Sequence, residues 1–204
     1  MVTTPAASTA KAATKWTLDL THTTVGFSVR HNMISNMMGG FSKFEASMEF
    51  DEAKPENSKL EAKIDAASFS VGRERIDTEV KSPSFLDAAK FPHLAFKSKR
   101  VILLGFRRYA VVGDLTIRDV TKEVSFDVTL SEQILDPRGN QRVGFHGETT
   151  INRFEFGTTW ANKLPNGLHV AGELVKINLD GELMRPAEAP AGGAPPAAGA
   201  APAR

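Results

Sequence analysis

Apolar residues recur at every second position through most of this chain. Val25, Phe27 and Val29 alternate with Gly26, Ser28 and Arg30, and Phe44, Ala46, Met48 and Phe50 alternate with Glu45, Ser47 and Glu49. A period of two gives a strand one apolar face and one wet face. The pattern returns at Leu60, Ala62 and Ile64, and at Leu94 and Phe96 in a strand that runs toward Leu103. It continues at Tyr109 to Ile117, Val124 to Leu130, and Val143 to Ile151. The last strand holds Leu174, Val175, Ile177 and Leu179 and ends near Leu183. Gly105-Phe-Arg-Arg108, Arg118-Asp119 and Asp136-Pro-Arg-Gly139 supply the turns between neighbours.

One stretch departs from this rhythm. His31 to Gly40 is a Met-rich, Gly-rich corner between the first two strands. Helical signals are confined to the middle of the chain. Ile76 and Val80 stand four apart within residues 72–80 and make a single apolar stripe. Ser82-Pro83 reads as an N-cap followed by Pro at the first helical position, opening a turn that carries Phe85 and Leu86 and stops before Pro92. The expected fold is all-β, a closed eight-stranded antiparallel barrel with a short helical insertion, because closure removes exposed strand edges. A barrel of this size can hold one small ligand.

Composition sets the boundaries. Residues 1–14 read as a flexible N-terminal arm, 15–184 as the barrel domain, and 185–204 as a disordered Pro/Ala/Gly tail without enough apolar surface to offset its ordering entropy. A net charge of +1 argues against a nucleic-acid partner. The nearest thing to a basic patch, Lys97, Lys99, Arg100, Arg107 and Arg108, sits on an expected hairpin exterior. No stretch approaches the ~20 apolar residues of a membrane helix, so stable membrane insertion is not expected. Residues 1–15 contain no apolar leader segment, which predicts a cytoplasmic protein, or a periplasmic one if a leader was removed.

Catalytic vocabulary is sparse. The chain has no cysteine, which excludes disulfides, thiolate nucleophiles and zinc–thiolate sites. His22, His31, His93, His146 and His169 show no metal-ligand spacing, and no Gly-x-Ser-x-Gly occurs. A non-enzyme without metal or cofactor is expected. The inward candidates mix small residues (Ala46, Ala62, Gly113, Gly147, Thr149) with large ones, which fits either a filled core or a tunnel. Phe outnumbers Tyr by 13 to 1, so an aromatic lining would carry few hydroxyls and would suit a hydrocarbon. Candidate lining residues are Phe27, Val29, Phe44, Met48 and Leu60, then Ile64, Phe96, Leu115, Phe126 and Phe145.

Polar candidates are few. His22 and His31 flank one strand and have two readings, structural or surface residues, or contacts to a polar head group at a barrel mouth. Arg153 has two readings: it pairs with an acidic residue and orders the following loop, or it contacts a phosphorylated or quinone head group. Met33, with Met37, Met38 and Ile34, forms a soft cluster for core filling, a pliable mouth or a dimer contact. Trp160 completes the candidate set, and residues 162–169 read as a loop able to cover an opening.

Five segments in order resemble the YceI-like family of polyisoprenoid-binding proteins. They are Trp16-Thr-Leu-Asp19 with Thr21-His-Thr23 and Val25-Gly-Phe27; His31-Asn-Met-Ile-Ser35 with Gly40-Phe-Ser-Lys-Phe44; Lys81-Ser-Pro-Ser-Phe-Leu-Asp87 with Lys90-Phe-Pro92 and Phe96; Gly113-Asp-Leu-Thr-Ile117 with Val120-Thr-Lys122; and Ile151-Asn-Arg-Phe-Glu-Phe-Gly157. The resemblance covers about residues 15–182. It implies a lipocalin-like barrel that holds a long-chain isoprenoid lipid, an isoprenoid quinone or polyprenyl compound, in an internal tunnel. It also implies homodimer formation. The chain departs from the family pattern at Ile76 and Glu79, where an Arg and a His are usual, and at Met38, Ser84, Asp119 and Ala161. The leading expectation is binding and carriage or storage of that lipid. The competing one is a stress-related structural or interaction protein with a filled barrel and no lipid.

Overall fold

In the computed structural model, residues 13–186 are described, and the expected arm and tail otherwise lie outside them. The strands are β1 (Thr14–His31), β2 (Ser35–Phe41), β3 (Phe44–Phe50), β4 (Lys59–Asp65), β5 (Phe69–Ser70), β6 (His93–Gly105), β7 (Arg108–Ile117), β8 (Val120–Leu135), β9 (Asn140–Asn152) and β10 (Ala171–Pro186). One α-helix, α1 (Glu74–Lys81), lies between β5 and β6. The domain reaches slightly past the expected limits, since Thr14 pairs with Phe50 and Pro186 with Asn140.

All pairings are antiparallel, and β10 bonds back to β1, closing the sheet. The result is an eight-stranded barrel in which β2 and β3 form two lengths of one stave. Thr14–Thr17 of β1 pairs with β3, whereas Val25–His31 pairs with β2. Between these halves β1 bulges: Leu20 to Thr23 lie opposite Gly181 alone. Thr23 Oγ1 donates to the Asp19 carbonyl at 2.6 Å. A Cβ on Gly181 would stand 2.4 Å from Thr23 Oγ1, so the bulge requires glycine there.

The corner expected over residues 31–40 is a tight hairpin instead. Asn32 and Met33 take φ of 49° and 61°, and Ile34 N–H donates to the His31 carbonyl at 3.1 Å. Two left-handed residues in succession give the mirror-image turn that matches strand twist. Ser82 also differs from expectation. It closes α1, donating its N–H to the Glu79 carbonyl, and the segment after it forms turns rather than a second helix. A strong capping pair at Ser82-Pro83 is overridden by the Arg118 guanidinium, which donates to the carbonyls of Pro83 and Phe85 and holds that chain in turns.

One end of the barrel is sealed. Trp16, Phe50, Tyr109, Leu130 and Leu183 are each no more than 9% exposed there. Phe50 and Tyr109 meet edge-on at 5.6 Å, and the Arg185 guanidinium lies 4.7 Å above Trp16. Among the described residues no helix is long and apolar enough to cross a membrane.

Candidate functional site

Alternation sends one set of side chains from every stave inward, and they do not fill the space. A cavity of ≈ 610 Å³ runs along the barrel, within the ~300–1,000 Å³ usual for small-ligand sites. Phe96 and Phe126 pack edge-on at 5.2 Å and are buried. Farther from the sealed end the inward residues Phe27, Val29, Phe44, Ile64 and Ile177 line the cavity yet are only half-buried, as is Met48 beside Trp16. In a close-packed core they would be covered by partner atoms; here they face open volume.

Thirteen of the fourteen sequence candidates line this cavity. Phe27 and Val29 come from β1, Phe44 and Met48 from β3, and Leu60 and Ile64 from β4. Phe96, Leu115, Phe126 and Phe145 come one each from β6 to β9, and His31, Arg153 and Trp160 lie toward the open end. Met33 does not line it. Its left-handed turn position carries it out of the strand's inward set, and it is 38% exposed. Met37, two residues into β2, lines the cavity in its place.

The mouth is built from three pieces. The β1–β2 turn contributes Arg30, His31 and Met37. Helix α1 lays Ile76 and Val80 against the opening, with Arg75 and Glu79 beside them. Asp77 fixes the start of the helix by accepting from Val71 N–H and Ser70 Oγ, both at 2.7 Å; these bonds hold its carboxyl below its ordinary value. The third piece is the chain from Arg153 to Ala171. Thr159 and Trp160 N–H both donate to the Ser84 carbonyl, Trp160 stacks on Phe85 at 5.3 Å, and the Trp160 indole N–H donates to Glu79 at 2.6 Å.

Arg153 organises that third piece, and not through the acidic partner expected of it. The residue is 6% exposed, and its guanidinium is held by backbone carbonyls. It donates to the carbonyls of Gly172, Trp160 and Ala171 at 2.9, 2.8 and 3.0 Å and to Thr158 Oγ1 at 3.3 Å. It lies 4.1 Å over the Phe154 ring. Burial pushes its pKa down, with Glu173 acting in the opposite sense. A buried cation satisfied by carbonyls is a fixed positive centre at the mouth.

The described residues contain one group with metal-ligand geometry, Asp19, His22 and Glu182. Its centre is occupied by Arg142, whose Nη1 lies 2.6 Å from Asp19 and 2.8 Å from Glu182, while its Nε lies 2.9 Å from Asp136. Arg142 holds the Asp19 and Asp136 carboxyls far below their usual range. These four side chains tie the β1 bulge to β9, β10 and the β8–β9 turn.

Comparisons with known proteins agree with this architecture. The YceI-like domain family model matches residues 16–183. UPF0312 proteins from Pseudomonas savastanoi pv. phaseolicola and Pseudomonas fluorescens are 36% and 35% identical to the chain over 136 residues, covering 67% of the chain and 71% of each relative. Among solved structures, Burkholderia cenocepacia BcnA superposes with a TM-score of 0.71 at 26% identity, covering 82% of this chain and 99% of that one. The YCEI protein of Campylobacter jejuni gives 0.66 at 27% identity, with 83% and 96% covered. A polyisoprenoid binding domain from Saccharophagus degradans shares the fold at a TM-score of 0.62 and 14% identity, with 86% and 100% covered.

Proposed function

The chain belongs to the YceI-like domain family, and on that premise we propose that it is a non-enzymatic binder that carries or stores a long-chain isoprenoid lipid, such as an isoprenoid quinone or polyprenyl compound. The observation that carries this reading is the unfilled ≈ 610 Å³ apolar cavity with half-buried aromatic and aliphatic walls. The polyisoprenoid binding domain of Saccharophagus degradans, which shares the fold, supports the choice of ligand class. A filled barrel would bury Phe27, Phe44 and Phe145 as it buries Phe50.

Energetics favour carriage over tight reception. Each methylene taken from water contributes roughly 0.8 kcal/mol. A bilayer offers the same chain the same relief from water, and ordering it in a tunnel costs conformational freedom. Exchange between tunnel and membrane is therefore close to neutral, as a carrier needs. The lining residues predicted from sequence hold the chain. Arg153 and His31 stand where a polar head group would emerge.

The test is mass spectrometry of the purified protein, native and then after solvent extraction. The expected result is a stoichiometric apolar adduct whose fragments step by isoprene units. A bare protein mass that takes up no added isoprenoid quinone would overturn the proposal.

A further inference from the structure

The barrel wall is incomplete on one side. Residues 14–17 of β1 pair with β3 and residues 25–31 pair with β2, so residues 18–24 have no strand partner on that side. Across the gap stand residues 44–46 of β3. They pair with β4 but, among the described residues, with nothing on the β1 side. The gap opens because β2 turns away to pair with β5 while β3 continues beside β4. It lies between the mouth, where β1 ends at His31, and the seal around Trp16.

The cavity reaches this gap. On β6 to β10 every residue that lines it belongs to the inward set of its strand. Beside the gap that rule breaks. Thr24 of β1 and Glu45 of β3 belong to the outward set and are exposed, yet both line the cavity. Leu18, Phe41, Phe44 and Ala46 line it between them and are only half-buried. Leu20, on the adjoining bulge, is 59% exposed. An apolar path therefore runs sideways from the tunnel to the surface.

The edges of the gap are fixed rather than slack. Asp19 accepts from Thr21 N–H at 3.0 Å and from Arg142 Nη1 at 2.6 Å, which holds the β1 bulge away from β3. On the opposite edge Phe41 packs edge-on at 5.7 Å against the buried Phe69. A bulge held in this way is a built feature of a barrel wall. The tunnel itself is a dead end of limited depth. β10 covers only about 27 Å of strand from Val175 near the mouth to Leu183 at the seal.

We infer that the gap between β1 and β3 is a second, lateral opening of the tunnel, through which the far end of a polyprenyl chain longer than the tunnel leaves the barrel. The inference rests on the lipid-carrier reading and deepens it. The head group stays at the mouth, the seal turns the chain aside, and Leu18, Leu20 and Phe44 shield its emerging end from water. Ligand length is then not capped by the depth of the barrel.

The experiment uses two polyprenyl probes, of four and nine isoprene units, each carrying a photoreactive diazirine at the end remote from the head group. The nine-unit chain, extended, is longer than the barrel. After irradiation of the full chain, peptide mass spectrometry should find its label on Leu20, Thr24 or Glu45, and the label of the four-unit probe on Phe96 or Phe126. Label from the nine-unit probe on Trp16, Phe50 or Tyr109 at the seal, or on Ile76 or Trp160 at the mouth, overturns the inference. A second measurement needs no lipid. The chain has no cysteine, so Ala46→Cys and Val128→Cys each give a single thiol facing the cavity, one beside the gap and one on β8. With a charged methanethiosulfonate reagent, the thiol at position 46 should react at least about tenfold faster than the one at 128, since access sets the rate. Equal rates, fast or slow, overturn the lateral opening. Failure of both probes to bind would sink the carrier reading, and the thiol rates would then decide the opening by themselves.

Discussion

The Trp160 indole N–H donates to the Glu79 carboxylate at 2.6 Å, and this one bond joins helix α1 to the loop on the far side of the cavity mouth. The helix has no fully buried residue of its own, so Trp160 and Phe85 supply much of what holds it in place. Glu79→Ala removes the acceptor and leaves an indole N–H without its partner. A hydrogen bond to a charged group contributes about 1.5–3 kcal/mol, reduced here by exposure. Uptake and release of a fluorescent long-chain lipid should both accelerate by a few-fold, with affinity little changed. Stopped-flow fluorescence reads the two rates, and unchanged rates would mean that α1 does not control passage through the mouth.

Ala46 points into the cavity and is half-buried. Ala46→Phe places a ring in open volume. A close-packed core would lose about 1–3 kcal/mol to such overpacking. This barrel should keep its urea midpoint or gain slightly, while lipid occupancy measured by native mass spectrometry falls. A large loss of stability would show that the volume is not available to a guest.

Two glycines separate packing from turn chemistry. A Cβ on Gly113 would stand 2.3 Å from the Lys97 carbonyl and 2.8 Å from Ser98 Cα, both backbone atoms that cannot yield cheaply. A Cβ on Gly105, in the β6–β7 hairpin, meets nothing within 4 Å. Gly113→Ala should cost about 2 kcal/mol or more and Gly105→Ala close to nothing. Chemical denaturation of the two variants side by side checks this.

The Arg142 network gives the fold a signature in acid. Asp19 and Asp136 hold their charge in the native state below the pH at which the unfolded chain protonates them. The unfolded state therefore binds protons first, and stability falls as pH drops below about 4. Arg142→Gln returns both carboxyls toward ordinary values, so the variant should be less stable at neutral pH but lose less on acidification. The adjacent His22 works in the opposite direction. Asp19 raises its pKa, so its contribution is full below its unfolded value of about 6.5 and fades as pH rises through the higher native one. Urea unfolding across a pH series resolves both arms. Parallel curves for the two proteins would disprove the network's role.

Much of the barrel was legible because its physics is local and periodic. Phe27, Phe44, Ile64, Phe126 and Phe145 were placed inward by alternation alone, and the turns at Asp136 and Arg118 by their residue types. Residues 35–41 were not legible as a strand, because Met37, Met38, Gly39 and Gly40 do not alternate in polarity. Gly39 and Gly40 serve close approach instead: a Cβ on either would collide with the backbone of Ser70 or Val25. The β1 bulge is equally silent in sequence, since it depends on Gly181 lying across from it. Met33 was drawn into the site by its chemistry, whereas its φ is set by the turn. The link from Trp160 to Glu79 joins positions far apart in the chain, and no spacing rule reaches that distance.

The seam between β1 and β10 has a consequence for biosynthesis. These strands are the first and last of the barrel, and they pair along both halves of β1. Such end-to-end pairing is the slowest kind to form, because the loop it closes is nearly the whole domain. While the chain emerges, the apolar faces of Phe27, Phe44, Phe96 and Phe126 form an open trough with two bare edges. The container comes into being only when Ala171–Pro186 has left the ribosome, so this trough is the form most exposed to aggregation and to chaperones.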